Sequence, residues 1–75
     1  MQNITNLQNG EVAVICEIRG DLKIKKRLLE LGFIKGEEVQ VLAISSLKKT
    51  YLLKIQGYVI AIRHNILKEV LICKK

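Results

Sequence analysis

Few residues in this 75-residue chain could do chemistry, and their spacing argues against it. His64 is the one histidine; no serine or cysteine nucleophile is spaced to work with it, and no glycine-rich loop could cradle a phosphate. Glu37 and Glu38 are adjacent carboxylates, but neighbours in an extended segment point to opposite faces. Cys16 and Cys73 belong to no CxxC or Cys/His cluster. They could join His64 in a soft, zinc-type site only if the first and last strands paired, which no spacing indicates. No catalytic residue, cofactor or metal ligand is therefore expected. Both cysteines read as reduced thiols, with Cys16 a small buried apolar side chain.

What remains is recognition. Arg27 sits at the margin of a packed helical face, about 60° from Ile24 on a helical wheel, where its stem can cover apolar surface while the guanidinium reaches a carbonyl or a carboxylate. Arg63 ends a strand. Each fits a structural role or a partner contact. Leu22 and Leu29, seven apart, form a second apolar stripe on the same helix, flanked by Lys25 and Lys26. Two leucines beside two lysines have the composition of a docking face, the lysines steering toward an acidic surface and the leucines supplying contact area. The competing reading packs both leucines under residues 4–7.

The element that must position these residues is a helix with a hard stop. Asp21 can cap its N-terminus, helix formers run to Leu31, and Gly32 stands where a helix end favours a residue free to take positive φ. Ile24, Leu28 and Leu31 make the stripe that faces a core. Phe33 and Ile34 can fold back on the last turn, and Lys35-Gly36 reads as a turn into a strand.

Around that helix the pattern is β. Asn9-Gly10 launches a strand over Val12–Ile18 with Val12, Val14, Cys16 and Ile18 on one face. A second strand follows Gly36, with Val39, Val41 and Ala43 inward. Two β-rich runs flank Gln56-Gly57, a two-residue connection fit for a tight hairpin. His64 to Lys68 reads as one helical turn capped by Asn65, and an apolar strand ends at Cys73. The expectation is a mainly β fold: about five short strands curled into a partly closed barrel, with one α-helix inserted between strands 1 and 2.

Composition narrows the class further. Hydrophobic residues make up 49% and mean hydropathy is +0.21, enough to fill one core without staples, so residues 1–75 read as a single domain. No apolar run approaches a membrane span and the polar start lacks the features of a secretion signal, so a cytoplasmic protein is expected. A net charge of +6 raises the question of nucleic acid. The cations are scattered, however, and only Phe33, Tyr51 and Tyr58 are aromatic, which provides no platform for stacking bases. No nucleic-acid partner is expected.

The spacing Arg27-Leu28-x-x-x-Gly32-x-x-x-Gly36, with Gly57-x-x-Ile60-Ala61-Ile62-Arg63 and a closing apolar strand, resembles the FeoA-like family over residues 10–73. Two positions depart from that pattern: Lys35 stands where a proline is frequent, and Leu67 where a small residue is usual. The resemblance implies an SH3-like β-barrel with a helical insertion. It also implies a small cytosolic accessory of ferrous iron uptake that binds or regulates the membrane GTPase FeoB at its cytosolic side. The same type of domain is found appended to iron- and manganese-responsive repressors. The alternative is a stand-alone SH3-like module binding another protein or RNA. Self-association as a homo-oligomer is compatible with both.

Overall fold

The computed structural model describes residues 1–74, Lys74 by its backbone alone. Two strands precede the helix: β1 (Gln2–Asn3) and β2 (Val12–Ile18). Helix α1 (Leu22–Glu30) leads into β3 (Glu38–Ile44), β4 (Thr50–Ile55) and β5 (Tyr58–Arg63). A single turn, α2 (His64–Leu67), and β6 (Val70–Lys74) complete the chain. The strands form one antiparallel sheet in the order β1-β6-β2-β3-β4-β5. The helix thus lies between the second and third strands rather than the first and second. The extra strand is β1, only two polar residues long and without the alternation that betrays a strand.

Asn3 makes that N-terminal piece stick. Its side-chain oxygen accepts from the Thr5 amide (3.0 Å) and the Thr5 hydroxyl (2.7 Å), capping a 3₁₀ turn over Ile4–Asn6. The turn carries Ile4 and Leu7 into the core, so these residues serve the barrel interior and do not cover the helix. The turn also packs against α2. Arg63, not Asn65, occupies the N-cap of α2: the helix begins at His64, so Asn65 is already its second residue, and the extended Arg63 makes no side-chain cap hydrogen bond.

Two β-bulges explain where inward and outward faces change. In β2 the register against β6 shifts between Ile15 and Glu17, leaving Cys16 as the extra residue. Ala13 and Ile15 are therefore buried before the bulge and Ile18 packs inward after it, instead of the alternate set Val12, Val14, Cys16 and Ile18. In β3 the shift falls at Leu42, so Val39 and Val41 point inward, Ala43 is exposed, and Ile44 turns back to the core.

Cys16 and Cys73 are joined as a disulfide between β2 and β6, their Cα atoms 5.9 Å apart. This replaces the expectation of two separate reduced thiols with Cys16 buried: Cys16 is half-buried and Cys73 exposed. The bulge brings them together, since it sets Cys16 beside the Val14–Cys73 register pair. The first long strand and the last strand do pair, but His64 is not drawn in with the cysteines. Among the described residues no group of three or more His, Cys, Asp or Glu side chains converges.

Candidate partner-binding surface

Helix α1 is fixed at both ends. Asp21 accepts from the Ile24 amide at 2.9 Å, as an N-cap carboxylate does. At the other end Gly32, with φ +99°, donates to the Leu29 carbonyl (3.0 Å), and Phe33 donates to that of Leu28 (3.0 Å). This pair of bonds is the Schellman arrangement, and Leu28 and Phe33, the positions of its usual apolar contact, are both buried in the one core cluster. The corner is braced from the β4–β5 hairpin: the Tyr58 hydroxyl donates to the Leu31 carbonyl and Gln56 Nε2 to that of Gly32 at 3.4 Å.

With the corner set, the wheel fixes what α1 shows to solvent. Leu28 is buried and Ile24 and Leu31 pack partly against the core. At about 100° per residue, Leu22, Lys26 and Leu29 fall roughly opposite that stripe, with Lys25 on one flank and Arg27 on the other. Leu22 is 81% exposed and Leu29 57%, so neither packs under residues 4–7. Lys25, Lys26 and Arg27 are also exposed.

The six candidate residues therefore divide into two groups. Leu22, Lys25, Lys26 and Leu29 share the outer side of α1. Arg27 and Arg63, far apart in the chain, border one groove of about 250 Å³ between α1, β5 and α2, with Leu31, Ile60, Ile62 and Ile66 along it. Among the described residues neither guanidinium forms an ion pair; the pair that does form is Arg19 Nε to Glu17 at 2.8 Å. That hydrogen bond, with the Arg19 charge, lowers the Glu17 pKa below the ordinary carboxylate value.

Arg63 also borders a second, more open cleft with Lys48, Lys49 and His64, which sequence reading left out of the surface. The hairpin register was the signal available for it. Thr50 lies opposite Arg63, so Lys49 must stand beside His64, whose amide donates to the Lys49 carbonyl at 2.8 Å. The His64 ring lies 6.1 Å from that of Tyr51, centroid to centroid.

Among the described residues the features that stand out at these surfaces are a rigid corner and exposed cations. A family model for the FeoA domain matches residues 2–74. The chain belongs to the FeoA domain family. It is 30% identical over 60 residues, 80% of its length, to an Fe(2+) transport protein A/Fe(2+) transporter FeoB fusion protein of Porphyromonas gingivalis. The match spans only 7% of that much longer relative. Among solved structures, the FeoA of Stenotrophomonas maltophilia, crystallised with zinc and described as a prokaryotic SH3 domain protein, is 27% identical. The two superpose with a TM-score of 0.83 over 97% of this chain and 91% of that one. A manganese-dependent transcriptional repressor in complex with manganese shares the fold at 12% identity, with a TM-score of 0.91 over 99% of this chain and 36% of the repressor. The fold is thus SH3-like and mainly β, and this FeoA-domain chain is associated by family with ferrous iron transport.

Proposed function

We propose that this FeoA-domain protein is a non-catalytic cytoplasmic accessory of ferrous iron uptake that binds the cytosolic side of an FeoB-type membrane GTPase and regulates it. The observation that supports this most directly is the fusion in Porphyromonas gingivalis, where a segment 30% identical to this chain is part of one polypeptide with the transporter. A covalent link keeps two modules at high effective concentration, which favours contact between them. No helix among the described residues is long and apolar enough to cross a membrane, consistent with a module that approaches the transporter from solution.

In this reading residues 1–75 act as one domain and iron is the transporter's cargo, not a ligand of this chain. The outer side of α1 is the contact: Leu22 and Leu29 supply apolar area, while Lys25 and Lys26 steer toward an acidic patch. Calorimetric titration against the transporter's purified cytosolic portion tests it. Binding that weakens on L29K and on charge reversal at Lys25 and Lys26 supports the proposal, and absence of binding by the unmodified protein removes it. The net charge of +6 keeps one rival in view, an SH3-like module for RNA. Tight, steeply salt-dependent binding of single-stranded RNA would favour that rival.

A further inference from the structure

We propose that the groove between α1 and β5 receives an extended acidic segment of a partner protein, which adds as a further strand to the free edge of β5. This inference concerns a different surface from the outer side of α1 and does not depend on the partner being a transporter.

The edge comes from the topology. β5 is the last strand in the sheet order and, among the described residues, pairs with β4 alone. The register tells which of its peptide groups are spare. Gln56 and Gly57 both have positive φ, +50° and +82°, so the hairpin turn is of the two-residue primed type, and Ile55 and Tyr58 exchange ladder hydrogen bonds. Antiparallel pairs alternate between bonded and non-bonded, which makes Ile60 and Ile62 bonded to β4 and turns the N–H and C=O of Val59 and Ala61 outward. Natural edges are usually blunted by charge, proline or a cover. Here Val59 and Ala61 are exposed and uncharged, and the groove runs along residues 60–63 of this strand with Arg27 and Leu31 of α1 across it.

The lining selects the ligand. About 250 Å³ is below the usual range for small-molecule sites, which argues for a shallow track. Ile60, Ile62 and Ile66 give it an apolar floor, suited to alternate side chains of a strand. No aromatic residue lines it, so it offers neither the ring-lined slots that hold polyproline helices nor a stacking platform for bases. Arg27 and Arg63 stand at its margins with no ion-pair partner among the described residues, and guanidinium forks match carboxylates. A second copy of a chain with net charge +6 would bring repulsion, whereas an acidic segment brings complementarity.

The test uses the full chain labelled with nitrogen-15 and a short fluorescent peptide in which glutamate and valine alternate, at about 50 mM salt, where surface charge is weakly screened. Three variants and peptides bear on it. In A61P the proline removes an edge N–H that β4 does not use. The double variant R27E/R63E reverses the margin charges without touching the backbone. A peptide alternating glutamate with proline keeps the charge but cannot pair. The expected result is amide shifts centred on Val59 and Ala61, roughly tenfold weaker binding by either variant, and the same loss with the proline peptide. Melting of each variant near that of the unmodified protein confirms that the fold is retained. Shifts centred on the outer side of α1, undiminished binding by R27E/R63E, or equal binding of the proline peptide would each overturn the proposal. Preference for oligothymidylate over the acidic peptide would overturn it too.

Discussion

The Gly32 corner and the β2–β6 seam hold the same small barrel together by opposite means. At the corner every partner but the hairpin brace lies within a few residues: the Leu28 and Leu29 carbonyls, the Gly32 and Phe33 amides, the buried Leu28 and Phe33 side chains. At the seam the cross-linked residues, Cys16 and Cys73, are 57 positions apart, and a bulge must offset the strand before they can meet. The corner can form early and locally, whereas the seam exists only once the sheet has closed. The difference predicts that damage at the corner is a packing and backbone effect independent of redox state, while damage at the seam depends on it.

The largest effect should come from emptying the corner. Phe33 is fully buried, and truncation of a buried aromatic to alanine costs about 3–5 kcal/mol through lost transfer energy and the cavity left behind. In so small a domain, F33A should unfold at or near room temperature by circular dichroism. The seam comes next. Closing a loop of that length restricts the unfolded chain enough to stabilise the fold by roughly 2–4 kcal/mol. Adding dithiothreitol, or replacing both cysteines by serine, should lower the free energy of unfolding by that amount, and dithiothreitol should then leave the double serine variant unchanged. An equal response to reduction of the milder variant F33L and the unmodified protein would confirm that the two regions act separately.

G32A sharpens the corner itself. A Cβ at Gly32 would meet the Tyr58 hydroxyl oxygen at 2.7 Å, and the residue sits at φ +99°. Left-handed backbone costs a non-glycine residue about 1 kcal/mol, and displacing Tyr58 from the Leu31 carbonyl costs about as much again, giving a loss of about 2 kcal/mol. Combining G32A with Y58F should therefore cost less than the sum of the two single changes.

The same contrast explains what could be read from the residues alone. Asp21, Gly32 and Gln56-Gly57 announce the helix, its stop and the hairpin, because capping and turn chemistry act over three or four residues. The bulges at Cys16 and Leu42 do not announce themselves, since each depends on how a partner strand is offset, and each moves residues between core and solvent. β1 stayed hidden because two residues carry no period, although Ile4 and Leu7 beyond it are core. The surface divides the same way. The outer stripe of α1 follows from helical spacing, and Leu22 and Leu29 on it are exposed. The meeting of Arg27 with Arg63 at one groove follows only from closure of the sheet.

A smaller effect concerns Tyr51, which ties the N-terminal turn to β4. Its buried hydroxyl donates to the Thr5 carbonyl at 3.0 Å, and burial raises its pKa above the ordinary 10.0. The unfolded chain therefore ionises this phenol first. Its contribution to stability is complete below pH 10 and is lost as pH rises through the folded-state value. Y51F should lose about 1 kcal/mol at neutral pH and show a flatter decline on the alkaline side than the unmodified protein. Chemical denaturation at pH 8 and at about pH 10.5 measures both.

The smallest effect on stability should come from Leu29, and that smallness makes it informative. A residue 57% exposed on the outer side of α1 gives up little apolar contact when replaced, and lysine is as good a helix former as leucine. L29K should therefore shift stability by no more than about 0.5 kcal/mol, the range of ordinary surface changes. If the outer stripe is the transporter contact, the same substitution places a strongly hydrated charge in the middle of an apolar patch and should weaken binding about tenfold or more. Melting and binding then separate: unchanged melting with lost binding assigns Leu29 to the partner. A melting loss as large as that of F33A would instead mean that Leu29 is needed by the fold, and would leave the outer side of α1 without a claim to the interface.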